Sequence, residues 1–259
     1  NFFKVKQIDS EKKLDRLKLY KLLKTIYSNN TTQEINLISN QLLQILDDFS
    51  EKYADEEISK NERWNESHSV LITYADSIYK NGEATLITLR NLLSKHFGSL
   101  SRVVHILPFL KSTSDGGFAV SSYDSLEKKF GGWDDLKSFS NNHVLMADLV
   151  LNHVSSSHPW VQQFIKSKEP GISNVFSPVE NLDWSNVIRP RSSSLFSQIN
   201  TKDGPKQVWT TFGPDQIDLN WHNPKMTLEF LNLIITYLSN GIKWFRLDAV
   251  GFIWKESGT

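Results

Sequence analysis

The stretch IKWFRLDA, residues 242–249, places two opposite charges inside an apolar pattern of strand length. Side chains alternate between the two faces of a strand, so Arg246 and Asp248 share one face while Phe245 and Leu247 share the other. Such a pair is either a structural ion pair or part of a site that a ligand can reach. The second interpretation suits a closed barrel, where this face would point to the open top of the interior.

A second stretch, HVLMADLVLNH at residues 143–153, has the same design. Its apolar run carries Asp148 and ends in Asn152 and His153. A lone buried histidine is usually bonded to a backbone carbonyl, but this one stands beside other polar groups at a strand end. Functional groups gather at the carboxyl ends of strands in parallel α/β folds. We therefore predict that these side chains meet the arginine–aspartate pair at one site.

Strands and helices alternate through most of the chain. Continuous apolar strands separated by amphipathic helices predict an α/β fold with a parallel sheet covered on both faces. The predicted strands span residues 69–76, 102–109, 143–153 and 242–249. The predicted helices between them span residues 83–98 (ending at Gly98), 131–142 and 223–241.

Two regions lie outside this alternation. Residues 11–28 and 33–53 show helical spacing of apolar residues and predict a helical hairpin. The predicted apolar stripe of its first helix is Leu14, Leu17, Leu22 and Ile26. Residues 154–222 are too long for a simple loop, so we interpret them as an inserted subdomain. The predicted division is a helical N-terminal extension at 1–62, strands one to three at 63–153, the inserted subdomain at 154–222, and helix three with strand four at 223–259.

Composition excludes several classes of partner. Lysine plus arginine and aspartate plus glutamate are balanced at 29 each, so nothing indicates binding to nucleic acid or to an anionic membrane. The chain has no cysteine, and no apolar run reaches the roughly 18–20 residues that a membrane-spanning helix needs. We expect a cytoplasmic protein that acts on a small molecule.

Several motifs point to a known superfamily. ADLVLNH and FRLDA resemble two signature regions of the α-amylase-type glycoside hydrolases, which fold as a (β/α)8 barrel with a small domain inserted after strand three. HILPF, SDGGFAV, RPRSS and VWTTFGPDQIDLN resemble the sucrose phosphorylase branch, and RWNESHSVLITYAD resembles its glucosylglycerate phosphorylase subgroup. The resemblance implies the first half of the barrel, strands one to four, preceded by the helical N-terminal extension.

The resemblance assigns roles at the two strand ends. Asp248 matches the catalytic nucleophile, which forms a covalent glucosyl-enzyme. Arg246 matches the arginine that holds this nucleophile ionised and aimed, in keeping with the effect of a nearby cation on a carboxylate. Asp148 is expected to be a structural partner of the arginine rather than a contact to sugar.

Further roles concern the sugar. Asp115 and His153 match residues that grip the hydroxyls of the glucosyl ring, and Phe118 matches the aromatic residue beneath it. Phe212 and Gln216 fall at positions on the acceptor side. Alternative interpretations remain at two of these positions, because Phe118 can be a core residue and Asp115 can serve only the turn in SDGG.

Phosphate is the last ligand that the resemblance implies. Arg191 matches an arginine associated with phosphate binding, and Arg189 is a second candidate; a solvated loop residue is the alternative for Arg191. Asn152 matches a calcium ligand of amylases, but the phosphorylase branch is metal-free. We therefore expect no metal and no cofactor.

The implied function is that of an α-glucoside phosphorylase, a hexosyltransferase of carbohydrate metabolism. It would move a glucosyl group, with retention, from sucrose or a glucosylglycerate-type donor to inorganic phosphate and give glucose 1-phosphate. Two alternatives stand beside it. One is a non-catalytic half-barrel remnant or sugar-binding module, and the other is an α-glucan or sucrose hydrolase of the same superfamily.

The resemblance also implies parts that this chain does not supply. In the family the acid/base is a glutamate ending strand five, and a further histidine–aspartate pair ends strand seven. We expect the chain to be a truncated half-barrel that is inactive alone. The open edges of strands one and four are expected to pair with another copy and give a homo-oligomer.

Overall fold

The computed structural model describes residues 16–53, 69–97, 102–178 and 183–258. The chain divides into two compact units. The first comprises Asn1–Lys60 with His222–Ile235, and the second comprises Asn61–Trp221 with Thr236–Thr259. The predicted start of the first helix at residue 11, its Leu14, the helix stop at Gly98 and the domain boundary after residue 62 lie outside the described residues. Among the residues described, no helix is both long and apolar enough to cross a membrane.

The helices and strands follow the predicted alternation. Residues 16–26 are helical (α1), and the further helices are α2 (Thr32–Lys52), α3 (Thr85–His96), α4 (Trp133–Ser140), α5 (Pro159–Ile165), α6 (Gly171–Asn174) and α7 (Lys225–Ser239). The strands are β1 (Val70–Thr73), β2 (Val103–Ile106), β3 (Val144–Val150), β4 (His153–Ser155), β5 (Phe196–Thr201), β6 (Gly204–Trp209), β7 (Gln216–Asp218) and β8 (Ile242–Asp248).

In the helical hairpin of the first unit, a capping box marks the start of the second helix, α2. Thr31 Oγ1 accepts a hydrogen bond from the backbone N–H of Glu34 at 3.2 Å, and Glu34 Oε2 accepts one from the N–H of Thr31 at 2.9 Å. Both donors would otherwise lack a partner at a helix start, which explains why α2 starts at this point.

The buried face of α1 differs from the predicted one. Leu17, Leu22 and Ile26 are 49%, 58% and 43% exposed, so three residues of the predicted stripe face outward. Leu23 and Tyr27, four residues apart, form the buried stripe instead. They join one core with α2 and the beginning of α7. Its members are Leu23, Tyr27, Ile35, Ile38 and Leu42, with Leu19, Tyr20, Leu228 and Leu231 packed against them.

A parallel sheet organises the second unit. Its strands pair in the order β1–β2–β3–β8, as predicted from the four apolar stretches. The register sets Asp148 opposite Arg246 and Val150 opposite Asp248. Since parallel strands end at the same side of a sheet, the polar ends of β3 and β8 lie next to each other.

The predicted strand at 143–153 is divided in the structure. β3 ends at Val150, and His153 begins β4, which pairs with β7 in antiparallel fashion. The backbone between them has other partners: the carbonyl of Leu151 accepts from Trp221 Nε1 at 2.8 Å, and that of Asn152 accepts from the N–H of Leu219 at 2.8 Å. These distant partners draw the chain out of the sheet just before His153.

The region predicted as an insertion contains regular structure. It includes α5, α6, the antiparallel hairpin β5–β6, and β7 paired with β4. The boundaries predicted for this subdomain and for its neighbours stay a prediction.

Candidate active site

A cavity of about 270 Å³ lies beside the ends of the parallel strands. It is lined by Tyr74, Asp115, Gly116, Phe118, His153, Arg191, Phe212, Gln216 and Asp248. Seven of the eight predicted catalytic and substrate-binding residues are therefore brought together in one place. Arg246 is the eighth, and it contacts the cavity-lining Asp248 without lining the cavity itself.

Arg246 joins two carboxylates. Its Nη1 donates to Oδ1 of Asp148 on the neighbouring strand and, at 2.9 Å, to Oδ1 of Asp248. The hydrogen bond to Asp148 raises the pKa of Arg246. The guanidinium therefore keeps its charge and holds the Asp248 carboxylate at the edge of the cavity.

Asp148 is the buried anchor of this arrangement. Its side chain has no exposed surface, and its Oδ2 lies 2.8 Å from Nε2 of His105 on β2. Three adjacent strands thus contribute one line of contacts, from His105 through Asp148 to Arg246 and Asp248. This packing leaves Asp148 no surface for a sugar.

The segment after Asp248 turns sharply. Ala249 has φ 52°, a left-handed conformation that is uncommon for a residue other than glycine, and a 3-10 turn at Val250–Phe252 follows. The Phe252 ring lies 5.4 Å from the ring of Phe212, which lines the cavity. The turn thus ends the strand at Asp248 and brings an aromatic residue to the rim of the site.

Lys255 holds this segment by hydrogen bonds. Its ammonium group donates to the carbonyl of Phe252 at 2.9 Å and to Oδ1 of Asn152 at 3.1 Å, and it lies 3.1 Å from Oδ2 of Asp218. Burial lowers the pKa of Lys255, and the Asp218 carboxylate opposes that change. Sequence reasoning missed this buried ion pair.

The same contacts decide whether a metal ion fits at this position. Asn152 matches a calcium ligand of amylases, but its side-chain oxygen already accepts from the Lys255 ammonium. Asp218 Oδ2 also accepts from Thr211 Oγ1 at 2.5 Å and from Asn152 Nδ2 at 2.9 Å. A cation placed among these oxygens would meet a positive charge about 3 Å away, so the residues present do not fit calcium.

Gln216 connects the two residues predicted to grip the glucosyl ring. Its Nε2 donates to Oδ2 of Asp115 at 2.9 Å and lies 3.1 Å from Nε2 of His153. The pairing of β4 with β7 positions Gln216 and His153 near each other. The acceptor-side role of Gln216 and of Phe212, whose ring is 5.1 Å from that of His153, stays a prediction.

His153 is buried beside acidic groups. Burial lowers its pKa, against the opposing effect of the Asp218, Asp248 and Asp115 carboxylates. The imidazole is therefore neutral near pH 7, with one nitrogen as donor and the other as acceptor. A neutral imidazole of this kind can bond to a sugar hydroxyl.

The loop after β2 positions Asp115 and Phe118. Gly117 has φ 104°, and a Cβ there would lie 2.5 Å from the carbonyl oxygen of Pro108, so only glycine fits this close approach. Phe118 is half-buried, lines the cavity, and has its ring centre 6.0 Å from the Arg246 guanidinium carbon. Its ring is thus available to a ligand, unlike that of a core phenylalanine.

Of the two arginines that the sequence offers for phosphate, one lines the cavity. Arg191 lines it, and Arg189 does not. Sequence reasoning missed Tyr74, which also lines the cavity and follows β1 directly. Its place at the carboxyl end of a predicted strand was the signal that could have indicated it.

Comparison with known proteins places the chain in a family. The family described as "Alpha amylase, catalytic domain" matches residues 98–259. A glucosylglycerate phosphorylase from Allomeiothermus silvanus is 45% identical over 197 residues, which cover 76% of this chain and 35% of that protein. One from Escherichia coli strain K12 is 37% identical over 202 residues, covering 77% and 36%.

A solved structure agrees with the fold. The crystal structure of sucrose 6F-phosphate phosphorylase from Thermoanaerobacter thermosaccharolyticum has a TM-score of 0.69 and 32% identity, covering 76% of this chain and 43% of that one. The chain spans less than half the length of these relatives. The predicted resemblance is confirmed, and the four parallel strands are part of a (β/α)8 barrel. The chain belongs to the α-amylase family and carries part of its catalytic domain.

Proposed function

We propose that this chain supplies the nucleophile and the glucosyl pocket of an α-glucoside phosphorylase. The observation that carries this proposal is the cavity in which Asp248, held by Arg246, faces the linked side chains of His153, Gln216 and Asp115. Relatives named glucosylglycerate phosphorylase and sucrose phosphorylase support it. The donor is sucrose or a glucosylglycerate-type glucoside, and the product is glucose 1-phosphate.

The first step forms a covalent glucosyl-enzyme. An oxygen of Asp248 attacks the anomeric carbon, the bond to the leaving-group oxygen breaks, and a general acid protonates that oxygen. Arg246 keeps the attacking carboxylate ionised and fixed in direction. His153 and Asp115 bind ring hydroxyls, and Phe118 supports the ring.

The second step restores the original configuration. Phosphate attacks the same carbon, the ester bond to Asp248 breaks, and two inversions give net retention. A retaining mechanism needs a second carboxyl about 5–5.5 Å from the nucleophile. The resemblance assigns it to a glutamate at the end of barrel strand five, whereas the sheet among the described residues has four parallel strands.

The reaction is tested with a full-length protein, meaning one that contains this chain and the complete (β/α)8 barrel. With sucrose or glucosylglycerate, we expect glucose 1-phosphate to form only when inorganic phosphate is added. A hydrolase would release free glucose at the same rate with and without phosphate. A non-catalytic sugar-binding module would release neither product, and either of these results would contradict the proposal.

Arg191→Ala is expected to weaken the use of phosphate more than the use of the glucoside. A guanidinium group binds a phosphate through paired hydrogen bonds, and Arg191 is the arginine that lines the cavity. We expect KM for phosphate to rise about tenfold or more, since charge-assisted hydrogen bonds contribute about 1.5–3 kcal/mol each. Arg189→Ala is the matched control. Equal changes in KM for both substrates would assign Arg191 a structural role.

The two open edges of the parallel sheet favour self-association of the chain. β1 and β8 are the outer strands of the sheet, and Ile72 on β1 and Leu247 on β8 are 62% and 51% exposed. Apolar edges of this kind favour pairing with another chain. We propose that the 259-residue chain, when isolated, associates with a second copy through them.

Light scattering on the isolated 259-residue chain checks this expectation. We expect a dimer or larger species, and less of it after Ile72→Lys and Leu247→Lys, because charged edges resist strand pairing. Leu46→Lys, at an exposed position of α2, is the control and should leave the distribution unchanged. A monomer in the unmodified chain would contradict the proposal.

A cytoplasmic location belongs to the same proposal. The product carries a charged phosphate that does not cross membranes unaided, so a cell retains it for further metabolism only if it forms inside. The partners proposed for the site are a small glucoside and inorganic phosphate.

A further inference from the structure

Asp215 accepts hydrogen bonds from two separate segments of the chain. Its Oδ2 accepts from Thr113 Oγ1 at 2.6 Å and from Ser114 Oγ at 2.5 Å. Its Oδ1 accepts from Ser156 Oγ at 2.5 Å, and from Ser155 Oγ and the N–H of Ser156 at 3.3 Å each. One carboxylate therefore ties the loop after β2 to the end of β4 and to the start of β7.

Each tied segment continues directly into the glucosyl pocket. Ser114 precedes Asp115, and Asp215 itself precedes Gln216. Ser155 ends β4, which begins with His153. Asp215 does not line the cavity, so its contacts act on the pocket only through the neighbouring residues that do.

The loop that Asp215 holds is conformationally unusual. Asp115 has φ 53°, which is uncommon for a residue with a side chain, and Gly116 and Gly117 follow with φ 61° and 104°. A residue stays in such a conformation only where its surroundings impose it. The hydroxyl of Ser114 makes no capping bond at the start of this turn and donates to Asp215 instead.

Asp215 is suited to this role because it is an acceptor. Burial by itself would raise its pKa, but hydrogen bonds from Ser114, Ser156 and Thr113 outweigh burial and lower it. The ionised carboxylate accepts from every hydroxyl around it and donates to none. Asparagine would keep only one of the two acceptor oxygens.

We infer that Asp215 is a positioning residue for the glucosyl pocket, which fixes Asp115, Gln216 and His153 relative to one another. This inference rests on the proposed function of that pocket. It does not give Asp215 a contact with the substrate. Its loss should therefore weaken binding of the glucosyl ring more than it weakens the use of phosphate.

The experiment compares Asp215→Ala and Asp215→Asn with Asp203→Asn in the full-length protein. Asp203 is an exposed aspartate in the turn between β5 and β6 and serves as the matched control. The readouts are KM and kcat for the glucoside, KM for phosphate, and the inhibition constant of free glucose. Misplaced groups cost up to about 10²-fold, so we expect KM for the glucoside and the constant for glucose to rise about 10- to 100-fold in Asp215→Ala.

The conservative variant separates positioning from general damage. Asp215→Asn should show a smaller rise, with KM for phosphate changing less than KM for the glucoside, and the values for Asp203→Asn should stay unchanged. If Asp215→Ala does not fold, Asp215→Asn alone decides the matter. Unchanged glucose inhibition in Asp215→Asn, or an equal rise in both KM values, would overturn the inference.

Failure of the proposed function would look different. A wild-type protein that makes free glucose and no glucose 1-phosphate would disprove phosphorolysis. Glucose binding measured by calorimetry would still test Asp215, because that measurement requires no turnover. A wild-type glucose affinity in Asp215→Asn would then overturn the positioning role.

Discussion

Asp248→Asn should abolish glucosyl transfer by the full-length protein while leaving its fold intact. The amide has the shape of the carboxylate but cannot act as the nucleophile, and Arg246 Nη1 can still donate to its oxygen. Loss of a group that forms the covalent intermediate typically costs on the order of 10⁴-fold or more in kcat. Initial rates of glucose 1-phosphate release measure the effect.

The control for this variant is Asp183→Asn, at an exposed aspartate whose carboxylate accepts a hydrogen bond from the N–H of Ser185. It should keep normal activity. The melting temperature of Asp248→Asn should stay within a few degrees of the parent, since Asp248 lies at a strand end. Activity close to the parent value, with deamidation excluded by mass, would contradict the assignment of Asp248.

Asp148→Ala should produce the largest loss of stability at the site. The Asp148 side chain is fully buried, and it is the partner of both His105 and Arg246. Its removal leaves His105, which is buried, and the half-exposed Arg246 without that acceptor. We expect a loss of roughly 3 kcal/mol in the free energy of unfolding, at the lower end of values for breaking a buried pair. Urea denaturation measures it.

Asp148→Asn is the conservative variant to compare with Asp148→Ala. It keeps the volume and one acceptor oxygen, so we expect a smaller loss of stability than with alanine. Glucosyl transfer should still fall in both variants, because Arg246 loses the contact that fixes it behind Asp248. A change below about 0.5 kcal/mol in Asp148→Ala, which is the usual range of surface substitutions, would show that the contacts of Asp148 do not hold the site together.

The parallel sheet could be predicted because its signal is local. Each of the four strands is an apolar run of strand length. Asp148 interrupts one of these runs, and Arg246 with Asp248 interrupts another. Parallel pairing then sets Asp148 opposite Arg246, two residues before Asp248. Arg246 can contact both Asp148 and Asp248 because β3 and β8 are neighbours in the sheet. The alternation of strands with helices already favoured this strand order.

The end of β3 could not be predicted in this way. The run that includes Leu151 and Asn152 is continuous with the strand in the sequence. Its pairing is decided by Leu219 and Trp221, which lie about seventy residues later. Local propensity has no access to a partner at that separation, so tertiary contacts override it.

Side-chain networks between loops were missed for the same reason. Asp215 has the pattern of a turn residue in GPDQ, and its hydroxyl partners come from the stretches STS (112–114) and SSS (155–157), which carry no special signal alone. Lys255 reads as a surface lysine, but it is buried against Asp218. The predicted buried face of α1 was wrong because two different apolar stripes fit its leucine-rich pattern. Contacts with α2 and α7 select between them.

Trapping the glucosyl-enzyme tests the central claim most directly. The full-length protein would be incubated with a glucosyl fluoride that carries a second fluorine next to the anomeric carbon, which slows release of the intermediate. Peptide mapping by mass spectrometry then locates the label. We predict one fluoroglucosyl group on Asp248, removed on incubation with phosphate and absent from Asp248→Asn. A label on any other residue, or turnover with no labelled species, would contradict the account.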